Sequence, residues 1–76
     1  MKARVFVSLK STVLDPQGQT VRAALNSLGH AAIHDVRQGK VFEIDCEPGA
    51  DLESIARDVL TNPVIEDYRI EYEAAR

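Results

Sequence analysis

An alternating segment near the start of the sequence reads Ala3-Arg4-Val5-Phe6-Val7-Ser8-Leu9. Its odd-numbered side chains are all apolar and would share one face, whereas Arg4, Phe6 and Ser8 would share the other. A period of two with β-branched residues is typical of a strand. The segment therefore predicts a β-strand with one buried face.

Two amphipathic helices are predicted further along the chain. Asp15-Pro16 is typical of a helix start, because aspartate caps free backbone N–H groups and proline fits the first helical position. Gly29 is suited to end this helix with a positive φ, and the second helix runs from Asp51 to the stop at Asn62-Pro63. The apolar stripes are Val21, Ala24, Leu25 and Leu28 in the first helix and Leu52, Ile55, Ala56, Val59 and Leu60 in the second.

Alternation also predicts three more strands, and Gln38-Gly39 predicts a tight turn. The element order is then β-α-β-β-α-β. Its natural solution is α+β: a mostly antiparallel, ferredoxin-like sheet with both helices on one face. We expect a single domain over residues 1–76, with fraying at Ala74-Ala75-Arg76. The added strands are a weak one at residues 33–37, one at 40–47 and one at 65–73.

Composition narrows the function classes. A chain of 76 residues buries a thin core, and oligomerisation is a usual remedy for that. The net charge of -3 and the lack of a Lys/Arg run argue against nucleic-acid binding. Apolar runs are too short to span a membrane, and a lone cysteine cannot form an internal disulfide. The cytosol is the expected location.

The sheet face that the helices leave open carries two apolar side chains, Phe6 and Val41, among charged residues. Single exposed apolar residues are common on protein surfaces and need no function. The alternative is a self-association surface, which the short chain and thin core favour. We therefore name Phe6 and Val41 as self-association candidates.

Side chains that often carry chemistry have simpler interpretations here. His30 and His34 lie after the predicted helix end, so their spacing does not imply metal binding. Cys46 falls in an apolar strand set and is expected to act as a small hydrophobe. An acidic row on one strand face is typical of a solvated face, although it could bind a metal; its members are Glu43, Asp45 and Glu47. Neither a catalytic constellation nor a phosphate-binding glycine motif is found.

Three polar, glycine-containing or turn-like segments are not explained by the elements predicted so far. The segments are Val13-Leu14-Asp15-Pro16-Gln17-Gly18, Asp35-Val36-Arg37-Gln38-Gly39-Lys40 and Asn62-Pro63-Val64-Ile65-Glu66-Asp67-Tyr68. Through these segments, with Leu9-Lys10 and Ser27-Leu28-Gly29, the chain resembles a known family over nearly its whole length. The family is PurS, the small subunits of the three-part phosphoribosylformylglycinamidine synthase.

The resemblance implies a non-catalytic subunit of an ATP-dependent, glutamine-using ligase of purine biosynthesis. Such a subunit is expected to bridge a large synthetase subunit and a glutaminase subunit as a homodimer or higher homo-oligomer, and to assist ammonia transfer. ATP and magnesium would serve the complex, and this chain would bind no cofactor. Two rival classes stay open: a small-molecule regulatory module of the same fold, and a stand-alone enzyme using the acidic strand face.

The resemblance also suggests which residues contact the larger subunits. Asp15 has a capping role of its own, whereas Arg37 and Lys40 appear in a turn that does not need their charges. The partner-interface candidates are Asp15, Gln17, Gly18, Arg37, Lys40, Asn62, Glu66 and Asp67.

Overall fold

The computed structural model describes residues 1–73, so the predicted fraying of Ala74-Ala75-Arg76 lies outside it. The elements are β1 (Lys2–Leu9), α1 (Pro16–Ser27), β2 (Gly39–Asp45), α2 (Leu52–Ile55), the π-helical turn (Ala56–Leu60) and β3 (Glu66–Tyr72). The π-helical turn directly continues α2, and we call the two together the 52–60 helix.

The sheet has β1 at its centre, in the order β2-β1-β3, and both pairings are antiparallel. The register sets Val5 opposite Phe42 on one side and Ile70 on the other. The apolar sets of all three strands therefore share one face, which we call the inner face. The predicted α+β class, with an antiparallel sheet and two helical segments, is confirmed.

The predicted strand at residues 33–37 is wrong, because the sheet of residues 1–73 has three strands. The predicted tight turn at Gln38-Gly39 is also wrong, because β2 begins at Gly39 and no turn is formed there. Residues 33–37 instead return along α1. The Asn26 side-chain amide donates to the carbonyl oxygens of His30, at 2.9 Å, and Ile33, at 3.2 Å. The Ile33 carbonyl, which a strand would offer to a neighbouring strand, is thus bound by a side chain of the helix.

The core is as thin as the chain length predicts. Val5 and Val7 of β1 pack against Ala56, and none of the three is more than 1% exposed. Ala3 and Leu52 are also buried. The partly buried residues around this cluster are Phe42, Ile44, Leu60, Tyr68 and Ile70.

The two helices differ in how far they cover the inner face of the sheet. The 52–60 helix covers the inner face as predicted, whereas Gly18 is the one buried residue of α1. The longest dimension, 47 Å, is close to the combined lengths of an eight-residue strand, about 26 Å, and a twelve-residue helix, about 18 Å. We conclude that α1 continues beyond the end of the sheet. Across residues 1–73, no helix has the length and apolar character to cross a membrane.

Candidate functional site

The three segments that carry the family resemblance meet at one place, the C-terminal end of β1. Ser8 pairs with Gly39 of β2 on one side and with Asp67 of β3 on the other. The Lys10 N–H donates to the Ile65 carbonyl at 2.8 Å, which brings in the turn before β3. Sequence reasoning did not place these segments together, because strand register joins residues far apart in the chain.

Asp15 joins two of the segments through its side chain, which is only 4% exposed. Oδ1 accepts the Gly18 N–H at 2.8 Å, which confirms the predicted helix cap. Oδ2 accepts the Gln38 N–H at 2.6 Å, directly before β2. This second bond was not predicted, and it fixes the start of α1 to the start of β2.

The electrostatics of Asp15 follow from these bonds. The Gln38 N–H and then the Gly18 N–H hold the pKa of the Asp15 carboxyl below its usual range, and the Arg37 charge adds to this, while burial opposes it. Both carboxylate oxygens are therefore engaged and the group is ionised. As a partner-interface candidate, Asp15 is better placed to support the surface than to touch a partner.

Arg37 also has an internal contact at this end of the sheet. Its Nη2 donates to the Lys10 carbonyl oxygen at 2.8 Å. The reason for favouring Arg37, that the turn does not need its charge, is therefore wrong. Its role as a partner contact stays a prediction, and substituting it would also disturb the junction between α1 and the sheet.

The turn before β3 is built by two more interface candidates. Glu66 Oε1 accepts the Asn62 N–H at 2.8 Å, and the Glu66 N–H donates to the Asn62 carbonyl at 2.8 Å. Asn62 Oδ1 also accepts the Val64 N–H at 3.1 Å. Asn62 and Glu66 thus hold the turn in shape, as asparagine often does.

Three candidates are left with exposed side chains at this end of the sheet, and we call them the β1-end surface: Gln17, Lys40 and Asp67. Gln17 and Lys40 line a shallow groove of about 390 Å³. Lys40 pairs with Val7 and Asp67 pairs with Ser8, so their side chains leave the sheet on opposite faces. Lys10 Nζ lies 2.7 Å from Asp67 Oδ1, and Lys40 Nζ lies 5.6 Å from the centroid of the Phe42 ring. Both contacts are solvent-exposed and hold the groups weakly. This surface therefore offers an amide, an ammonium and a carboxylate to a partner.

A larger depression of about 570 Å³ lies at the opposite end of the sheet, away from every predicted partner residue. Its charges are mixed, and one acidic member, Glu43, pairs with Arg4 at 3.4 Å. No group of three or more metal-binding side chains occurs in residues 1–73. The lining residues are Lys2, Ala3, Arg4, Glu43, Ile44, Asp45, Glu71, Tyr72 and Glu73.

Phe6 and Val41 lie opposite each other on the open face of the sheet. The Arg69 guanidinium lies over the Phe6 ring, 4.6 Å from its centroid, so Phe6 is partly covered. Val41, its neighbour across the strands, is half exposed. Self-association through Phe6 and Val41 stays a prediction, although most exposed apolar side chains lie elsewhere.

The histidines and the cysteine contribute nothing to the β1-end surface. His30 and His34 are exposed in the segment that follows α1. Cys46 is partly buried directly after β2.

Tyr68 donates to Glu53 Oε2 at 2.9 Å, and this bond, with burial, raises the pKa of the Tyr68 hydroxyl.

Comparison with known proteins identifies the family. A sequence model of PurS, described as phosphoribosylformylglycinamidine (FGAM) synthase, matches residues 2–74. The chain belongs to the PurS family. It is 47% identical to the phosphoribosylformylglycinamidine synthase subunit PurS of Mycobacterium leprae, over 96% of each chain. The expected family is thereby confirmed.

Solved PurS structures share the fold. Methanocaldococcus jannaschii PurS, described as one of the subunits of formylglycinamide ribonucleotide amidotransferase in the purine biosynthetic pathway, aligns with a TM-score of 0.88. It is 36% identical and covers 99% of this chain and 98% of its own. A chain of the Thermotoga maritima PurLQS structure aligns with a TM-score of 0.78 and 25% identity, over 92% and 93%.

Family membership gives the β1-end surface its context. As a PurS subunit, this chain is part of the FGAM synthase of purine biosynthesis, a ligase. The residues whose contacts sequence reasoning missed are Lys10 and Gln38, because their backbone groups are what join the segments. Gly18 did give a signal, because a glycine in the first turn of a helix lowers helix stability and asks for a reason.

Proposed function

We propose that this PurS chain is a non-catalytic subunit that bridges the synthetase and glutaminase subunits of FGAM synthase and assists ammonia transfer between them. The fold shared with a chain of the PurLQS structure supports an assembly role. The larger subunits would use ATP and magnesium, and this chain would bind no cofactor. The complex would work in the cytosol.

One observation carries the proposal: the three family segments meet at the C-terminal end of β1 and form the surface there. Buried or internally bonded candidates, such as Asp15 and Asn62, hold its shape. Exposed ones, such as Lys40 and Asp67, present charge to solvent. A surface with a rigid, hydrogen-bonded base and exposed polar groups is suited to protein recognition, because little order is lost on binding.

We also propose that the chain works as a homodimer or higher homo-oligomer. The support is energetic: five apolar side chains are buried, whereas Leu28, Val59 and other large apolar side chains are exposed. A second copy could cover such side chains and add to a core that the chain length keeps small.

The double variant Lys40→Ala/Asp67→Ala tests the partner surface. It removes one charge of each sign from the β1-end surface and leaves the net charge unchanged. We expect capture of the synthetase and glutaminase subunits to weaken by about tenfold or more, as for the loss of central interface contacts. Affinity is measured by pull-down and by surface binding at fixed salt.

The matched control is Lys2→Ala/Asp45→Ala, which removes the same two residue types from exposed positions at the opposite end of the sheet. It should bind both subunits like the unaltered chain. If Lys40→Ala/Asp67→Ala also binds like the unaltered chain, the β1-end surface is not the contact. Arg37 is left unchanged, because its bond to Lys10 would confuse the result.

A further inference from the structure

Two large apolar side chains are exposed at the C-terminal end of β1, beside the β1-end surface. Leu14 is 68% exposed and Val64 is 79% exposed. Ile65, next to Val64, is also exposed. We call these three residues the end patch. None of them packs against the core cluster on the inner face, and exposed apolar side chains that gather at one site are typical of a contact surface.

The two parts of the end patch are joined by Lys10, the residue after β1. The Lys10 N–H donates to the Ile65 carbonyl at 2.8 Å, and the Lys10 carbonyl accepts the Val13 N–H at 2.9 Å. Along this path, the Cα atoms of Leu14 and Val64 are at most about 20 Å apart. A standard interface of roughly 800 Å² per partner is about 32 Å across, so one partner could cover both side chains.

Both parts of the end patch are held in place within the chain. Asn62 accepts the Val64 N–H through Oδ1 and the Ile65 N–H through its carbonyl, each at 3.1 Å. The residue after Leu14 is Asp15, whose buried carboxylate accepts two backbone N–H groups. Little conformational entropy is then lost when a partner covers these side chains.

Charged side chains border the end patch. Lys10 Nζ lies 2.7 Å from Asp67 Oδ1 in a solvent-exposed ion pair. Glu66 follows Ile65 and is only partly buried. An apolar centre with a polar, accessible rim is the usual anatomy of a protein–protein interface. The end patch and its charged border therefore have the composition of a surface that recognises another protein.

A second copy of this chain is a poor occupant for the end patch. In a two-fold dimer formed through this end, the same exposed side chains would meet, and neither copy would bring a cavity. Both depressions described above are lined in part by charged side chains, such as Lys40 in one and Arg4 in the other. Insertion into either would also be a head-to-tail contact, which continues from copy to copy into a ring or filament.

The occupant that fits is a larger protein with an apolar pocket. Of the two larger subunits in the proposed function, the synthetase is the large one. Accessible surface grows with mass, and pockets form preferentially between domains, so the synthetase offers more sites of this kind.

We propose that Leu14 and Val64 insert into an apolar pocket of the synthetase subunit. This inference rests on the proposed bridging function and deepens it, because it assigns the apolar part of this end of the chain to one of the two partners. The glutaminase does not depend on Leu14 or Val64 for its contact.

The double variant Leu14→Ala/Val64→Ala tests the insertion. Capture of the synthetase should weaken about tenfold or more, because two large apolar side chains lose their burial in the complex. Capture of the glutaminase and the mass of the chain in light scattering should stay unchanged. Circular dichroism should show the same melting curve, because both positions are exposed and their backbone hydrogen bonds are kept.

The matched control is Ile33→Ala/Val41→Ala, which removes two exposed apolar side chains outside the end patch. It should capture both larger subunits like the unaltered chain. If the control weakens capture of the synthetase as much as Leu14→Ala/Val64→Ala does, the effect is not specific to the end patch and the inference is wrong.

Photo-cross-linking in the three-part complex identifies the occupant directly. A photoreactive phenylalanine analogue replaces Leu14 in one sample and Val64 in another. Both positions should give an adduct with the mass of this chain plus the synthetase. An adduct with the glutaminase alone, or with a second copy of this chain, contradicts the inference.

The outcomes separate this inference from the bridging role. If the unaltered chain captures both subunits and Leu14→Ala/Val64→Ala captures the synthetase equally well, the insertion is wrong and bridging stands. If the unaltered chain captures neither subunit, bridging is wrong and the insertion is wrong with it.

Discussion

The Asp15→Ala chain is expected to melt roughly 10–20 °C below the unaltered protein at the same concentration. The substitution removes the acceptor for two backbone N–H groups, those of Gly18 and Gln38, in a setting where Asp15 is 4% exposed. A buried N–H without a partner costs more than an average hydrogen bond contributes. Thermal unfolding followed by circular dichroism measures the effect.

Asp51→Ala is the matched control for this effect. Asp51 also caps a helix, through the Ser54 N–H at 3.1 Å, but it is exposed and joins no second segment. Its loss should cost only about 1 kcal/mol, the typical value of a helix cap. If Asp15→Ala melts no lower than Asp51→Ala, the bond to Gln38 contributes nothing.

Acid should reveal the same contacts. The pKa of Asp15 in the folded chain lies below its usual value of 3.8, because the Gln38 and Gly18 N–H groups favour the carboxylate. Its stabilisation is therefore complete above the unfolded-state pKa and is lost as the pH falls through the folded-state pKa. As the pH falls below about 5, the melting difference between the unaltered chain and Asp15→Ala should therefore shrink.

Gly18→Ala is expected to destabilise the fold by about 1–3 kcal/mol, the cost of forcing extra atoms into a closely packed site. A Cβ at Gly18 would collide with the Val36 carbonyl oxygen and lie 2.9 Å from Asp15 Oδ2. Backbone cannot move aside as a flexible side chain can. Chemical denaturation at fixed concentration measures the change in unfolding free energy.

The sign of this effect is informative. Alanine is favoured over glycine within a helix by up to about 1 kcal/mol, so helix propensity alone predicts stabilisation. Gln17→Ala, one residue earlier and exposed, should be nearly neutral. If Gly18→Ala is neutral or stabilising, the Val36 carbonyl does not pack closely against the start of α1, and the account of Gly18 is wrong.

Local patterns were sufficient to predict most of the elements. The alternation of residues 3–9 and 40–47 and the cap at Asp15 each depend on neighbours in sequence, and all three appear in the structure. The strand predicted at 33–37 is absent: the Ile33 N–H donates to the His30 carbonyl and the Ile33 carbonyl accepts the Asn26 side-chain amide, contacts that no periodicity reveals. The periodicity of apolar residues describes one segment at a time and does not predict hydrogen bonds with other segments.

The position of α1 could not be predicted for a related reason. The stripe from Val21 to Leu28 shows that one side of the helix is apolar, but not which chain covers it. Likewise, the β1-end surface depends on the register that sets Ser8 between Gly39 and Asp67. Such pairings join residues that are distant in the chain. The three segments could therefore be identified from the sequence, but their meeting at the end of β1 could not.

The most direct test of the bridging role is size-exclusion chromatography with native mass spectrometry of the synthetase and glutaminase subunits, with and without this chain. The account predicts a three-part complex that forms only when the chain is present and contains it in two or more copies. A synthetase–glutaminase complex that forms equally well without the chain would contradict it.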